Sequence, residues 1–112
     1  MSNTIDRENC ILASFLYSND MGMNTEDAFM LDSRIFTSSY RRATADKINE
    51  ESDGDKYYGY LSVTLRELTS GTSFEQDFID IESQTPMPFS VAKRMHEKLT
   101  TEYKERVAKA FR

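Results

Sequence analysis

The chain has 112 residues, of which 38% are hydrophobic and 29% charged, with a net charge of −5. That length suits one domain, which buries roughly two-thirds of its chain surface without disulfide or metal staples. Cys10 is the only cysteine, so no intrachain disulfide can form, and a reducing, cytoplasmic setting is expected. No apolar run approaches the ~20 residues of a membrane span. The first six residues are polar and lack the basic start and apolar stretch of a secretion signal.

Charge is divided unevenly along the chain. Residues 1–90 carry 7 Lys and Arg against 16 Asp and Glu, a balance of −9. Residues 91–112 carry 7 basic residues against 3 acidic ones, a balance of +4. The acidic body disfavours non-specific nucleic-acid binding, so contact with single-stranded DNA is expected to be weak and salt-sensitive.

A first helix is expected over about residues 5–17. Ile5, Ile11, Leu12, Phe15 and Leu16 form a wide apolar stripe at helical spacing, with Asp6 and Glu8 in the first turn. Ser18, Asn19, Asp20 and Gly22 end it. A short second helix, capped by Asn24 or Thr25, is expected to carry Ala28, Phe29, Met30 and Leu31. A third, with Ser38 as its cap, runs over about residues 39–50 and is weakly apolar. A loop follows at residues 51–55.

The fourth helix places Tyr58, Leu61, Leu65 and Leu68 on one face. Tyr57, Tyr58 and Tyr60 cluster there, and core packing with one exposed ring accounts for them. Ser73 and Gln76 read as a capping box for the fifth helix, which presents Phe74, Phe78 and Ile81. Pro86 and Pro88 break that helix because neither can donate a backbone hydrogen bond. Ser90 then caps a last helix from Val91 onward. Its stripe is Val91, Met95, Leu99, Tyr103, Val107 and Phe111, each four apart.

A strict spacing of four drifts about 40° per step on a helix of 3.6 residues per turn. The stripe must therefore wind around the helix and cannot all face one small core. Met95 and Leu99 are expected on the body. Tyr103, Val107 and Phe111 are expected to overhang it as a protein-interface candidate. No glycine, proline or cap follows, so the helix is expected to continue past Arg112. The fold class expected is all-α: a compact bundle of about five helices in residues 1–88, then a long amphipathic helix from residue 89.

No catalytic, cofactor-binding or metal-binding residue is assigned. The only histidine, His96, reads as a surface or interface residue, and Cys10 as a small buried one. There is no phosphate loop and no dinucleotide fingerprint. The pairs Asp53/Asp55 and Asp77/Asp80 are unremarkable in a chain with 19 acids. The expectation is a module that binds proteins and performs no chemistry.

Two blocks carry a resemblance. Ile5-Asp6-Arg7-Glu8-Asn9-Cys10-Ile11-Leu12-Ala13-Ser14-Phe15-Leu16-Tyr17-Ser18-Asn19 resembles the opening of DnaB-type replicative DNA helicases, which runs I-E-A-E-Q-x-V-L-G-x-L-L-L-D-N. Phe36 and the basic pair Arg41-Arg42 fall where that family has a phenylalanine and a basic helix start. Phe78-Ile79-Asp80-Ile81-Glu82-Ser83-Gln84-Thr85-Pro86 resembles the family's Y-L-x-E-L-x-x-x-T-P, and a long amphipathic helix follows, as in the family. Together the blocks span about residues 5–112. Arg7 stands where the family has a small residue, Thr44 and Ala45 where it has larger apolar ones. A two-glycine loop and the ATPase motor are absent.

The resemblance implies a non-catalytic collar domain within an ATP-dependent helicase. The last helix would be the first arm of a helical hairpin. The implied partners are other copies of the chain, as dimers or higher assemblies, and a primase or helicase loader of the primosome. The alternative is a free-standing helical adaptor or inhibitor, of phage or mobile-element type, that binds a replication protein. An acidic mimic of nucleic acid is a weaker third reading.

Overall fold

A computed structural model describes residues 4–18, 22, 25–52 and 59–111. Five α-helices follow one another: α1 (Thr4–Leu16), α2 (Ser39–Ser52), α3 (Gly59–Thr69), α4 (Glu75–Glu82) and α5 (Phe89–Ala110). The fold is all-α, and no strand occurs among the described residues. Residues 53–55, the break at Asn19 and Asp20, the cap candidate Asn24, and Tyr57 and Tyr58 lie outside the described residues, as does the side chain of Tyr60.

Helix α1 is the centre. Ile11, Leu12, Ala13 and Phe15 have no exposed surface, and Leu16 has almost none. Each large side chain in that set contributes roughly 1.5–3 kcal/mol by leaving water. Only Ile5, expected on the same stripe, lies out in solvent at the helix start. Around α1 pack α5, α4, α2 and α3.

The expected second helix is not formed. The chain makes a 3-10 turn at Thr25–Asp27 and a second at Ser33–Ile35, with non-helical backbone between them. The reason lies in other segments. The Asn49 side chain on α2 donates to the Leu31 carbonyl at 2.8 Å and accepts the Leu31 N–H at 2.9 Å. The Asp32 N–H goes to His96 Nε2 on α5 at 2.9 Å. Backbone groups that a helix would have paired internally are thus paired from outside. Phe29 is held by edge-on contacts with Phe15 and Phe89, at centroid distances of 5.1 and 6.5 Å. Met30, expected on the same helix, is exposed.

Helix α2 starts as expected: Ser38 Oγ accepts the Arg41 N–H. Its buried positions are Tyr40, Arg41, Thr44, Ala45 and Ile48, a 3.6-residue repeat that includes two polar residues. On α3, Leu61 and Leu65 are buried, but Leu68 points to solvent with 67% of its surface exposed. The inward position there belongs to Thr69, whose hydroxyl donates to the Leu65 carbonyl. The α3–α4 turn needs a left-handed residue, and Gly71 supplies it at φ 77°.

The Ser73 capping box is not formed. Phe74 is the N-cap of α4 and makes no side-chain cap bond. The turn is closed by two neighbouring groups: Thr72 Oγ1 accepts the Phe74 N–H, and the Glu75 carboxylate accepts the Gly71 N–H. Phe74 is half-exposed and stacks on Tyr40, with centroids 5.6 Å apart, while Phe78 and Ile81 enter the core. Ser90 does not cap α5. The helix begins at Phe89 with Pro88 at its cap, and the Pro88 carbonyl receives the N–H groups of Val91 and Ala92.

Asn49 gives a direct test. In Asn49→Ala, both backbone groups of buried Leu31 lose their partner, at a cost on the order of 2 kcal/mol or more. Asn49→Asp keeps an acceptor for the N–H but sets an oxygen against the carbonyl, so it too is expected to be destabilising. Urea unfolding of the two variants, beside Lys47→Ala on the exposed side of the same helix, measures the difference. The lysine variant is expected within about 0.5 kcal/mol of the parent.

Candidate interaction surface at the end of the last helix

The inward face of α5 is not the ladder of fours. It is Phe89, Ala92, His96, Leu99 and Tyr103, at spacings of three and four in alternation. This repeat tracks one side of a helix, whereas a constant four drifts off it. Val91 is accordingly out in solvent at the start, and Val107 and Phe111 are out at the end, 38% and 87% exposed. Met95 and Leu99 pack on the body as expected. Tyr103, expected in the overhang, instead rests half-buried against the core. The second 3-10 turn reaches up to it, with the Arg34 guanidinium 5.8 Å from the ring centroid and that of Arg106 6.0 Å away.

His96 departs most from its sequence reading. It is buried, packs on Phe29 at 5.3 Å, and its Nε2 accepts the Asp32 N–H. An acceptor Nε2 requires the neutral ring with its proton on Nδ1. Burial pulls the His96 pKa below 6.5, against the opposing pull of Asp32 and Glu97.

Polar side chains of α1 are also buried. The Glu8 carboxylate accepts the Thr37 N–H at 2.7 Å and the Thr37 hydroxyl at 3.2 and 3.3 Å. Burial raises its pKa, opposed by the Thr37 bonds and by the charges of Arg41 and Arg106. Asn9 Oδ1 receives Arg41 Nε at 2.7 Å, and Arg41 also reaches Ser38 and Asp77. Cys10 is partly buried and its thiol sits 3.2 Å from Gln84 Oε1. Burial raises its pKa, which is the wrong direction for a nucleophile. Burial and the Glu82 bond together push the Tyr17 hydroxyl up to about 12. Among the described residues no group of histidine, cysteine and carboxylates could hold a metal, and no helix is long and apolar enough to cross a membrane.

A cleft of about 330 Å³ opens where the last turns of α5 face the second 3-10 turn and the start of α2. Ile35, Phe36, Tyr103, Val107 and Ala110 give it an apolar floor, and Arg34, Arg42 and Arg106 edge it. Two of the three interface candidates, Tyr103 and Val107, therefore share one cleft, and Phe111 lies outside its lining. The arginines come from three separate segments. In the sequence Arg42 belongs to the pair Arg41-Arg42, Arg106 to the basic last helix and Arg34 to neither, so the grouping had no linear signal. Adjacent Arg41 and Arg42 part company because neighbours on a helix are about 100° apart. Arg41 goes inward and Arg42 outward.

No known protein family, curated protein or solved structure matches this chain.

The His96 bond sets a pH dependence. Because the folded pKa is lowered, the unfolded chain takes up a proton first as pH falls through about 6.5. Stability present at neutral pH is therefore lost between that value and the lower folded pKa. Thermal melts from pH 7.5 to 5.0 are expected to show this loss. His96→Gln, which retains an acceptor for Asp32 but cannot titrate, is expected to flatten it.

Proposed function

We propose that this chain is the non-catalytic N-terminal collar domain of a DnaB-type replicative DNA helicase, assembling with copies of itself and docking a primase or loader. The sequence blocks support the reading. The first lies on α1, at the centre of the body, and the second on α4 and the turn leading into α5. The helical class and the long final helix agree with the collar module of that family.

The observation that carries an interaction role is the apolar end of α5. Val107 and Phe111 stand in solvent on a helix whose first half is built into the core. Exposed apolar surface grouped beside basic residues is the usual mark of a contact surface. The adaptor reading shares this surface and differs in its occupant. A collar domain self-associates, whereas an adaptor stays monomeric and binds a replication protein.

Light scattering across the micromolar to millimolar range separates the two. Self-association by the chain is expected, and its weakening in Val107→Asp/Phe111→Asp. The melting temperature of that double variant is expected to stay near the parent's, since Phe111 is almost wholly in water and Val107 lies at the rim of the body, 38% exposed. A strict monomer throughout removes the collar reading. Unfolding of the double variant removes the interface assignment.

A further inference from the structure

We propose that the arginine-edged cleft between α5 and the start of α2 receives an acidic, amphipathic peptide segment of a partner protein. This inference rests on the cleft alone and does not require the helicase reading.

Charge comes first. Of the three guanidiniums, Arg34 is already matched by Asp32, through bonds of 2.9 and 2.8 Å. Arg42 gives one N–H to the Phe36 carbonyl at 3.0 Å, from the five that a guanidinium carries. Neither Arg42 nor Arg106 has a carboxylate within ion-pair distance among the described residues. Among the described residues that line the cleft none is acidic. Elsewhere among the described residues Arg7, Arg41 and Arg66 each hold a carboxylate, and Arg94 stands exposed without one. Two arginines without a carboxylate in ion-pair contact, Arg106 being attracted only at longer range by buried Glu8, therefore suit two carboxylates, and the planar guanidinium fork favours that geometry.

The floor decides what carries those carboxylates. Ile35 and Phe36 form a fixed base, each 1% exposed. Val107 and Ala110 extend the apolar wall along α5 toward Phe111. A small anion would leave that wall uncovered. A nucleic acid strand would bring charge but no aliphatic face, and the −9 body would repel it. A short segment with carboxylates on one side and leucine or phenylalanine on the other matches both features.

The test uses a fluorescein-labelled synthetic peptide with glutamates on one helical face and leucines and phenylalanine on the other. Fluorescence anisotropy is read on the full chain. Salt-sensitive binding is expected, weakened about tenfold or more by Arg106→Gln and by Arg42→Gln/Arg106→Gln, and unaffected by Lys47→Gln. A peptide with glutamine at every glutamate is expected not to bind. Arg106 is exposed and, among the described residues, makes no hydrogen bond to the backbone, only a ring contact with Tyr103, so its single variant keeps the test valid if the Arg42 change perturbs folding. Equal binding by the arginine variants overturns the proposal, as does no binding at all. Tighter binding of an oligothymidylate than of the peptide also overturns it. So does loss of self-association in the arginine variants without peptide binding, since the occupant would then be a second copy of the chain.

Discussion

The structure depends on one constraint: α1 is enclosed on nearly every side, and it carries polar residues that must be satisfied there. Glu8, Asn9 and Ser14 are as inaccessible as the leucines beside them. Each therefore pins a different segment. Glu8 takes the Thr37 N–H, Asn9 takes Arg41, and Ser14 accepts the Met87 N–H at 2.8 Å while donating to the Cys10 carbonyl. A purely apolar α1 could slide or rotate among its neighbours at little cost. These bonds fix its register, because breaking one leaves a buried group unpaired.

The same constraint explains what could be read from the sequence. Helices α1, α2, α3 and α4 follow from their own apolar spacing, since each has a face whose burial repays its ordering. The helix expected to carry residues 28–31 does not form, because the backbone there and at Asp32 is held by Asn49 and His96, which are distant in sequence. Propensity has no access to such partners. Leu68 and Thr69 show the error at single-residue scale: the apolar residue seemed the natural inward one, yet the threonine occupies that position by bonding its own helix.

The last helix was legible in its division but not in its detail. A drift of about 40° per step divides Leu99, which packs on the body, from Val107 and Phe111, which are exposed. The spacing could not place Tyr103, because the second 3-10 turn that covers it, Ser33–Ile35, is a separate segment whose docking no helical spacing encodes. Nor could it find the cleft. A binding surface assembled from Arg34, Arg42 and Arg106 exists only after three segments have docked. His96 was hidden as well: Lys93 and Arg94 shortly before it and Glu97 and Lys98 after it disguise a residue that sits at the inward spacing between Ala92 and Leu99.

Helices α1 and α5, far apart in sequence, are joined directly. Arg7 on α1 is paired with Glu102 on α5, 95 positions away, and Ser14 is bonded across 73. A ribosome delivers α1 first and α5 last. Until α5 is made, α1 therefore lacks its main cover. Long-range closure of this kind also slows folding relative to bundles built from neighbouring helices. The buried polar groups of α1 soften that exposure, because a helix interrupted by Glu8, Asn9 and Ser14 is a poorer aggregation seed than an unbroken apolar one.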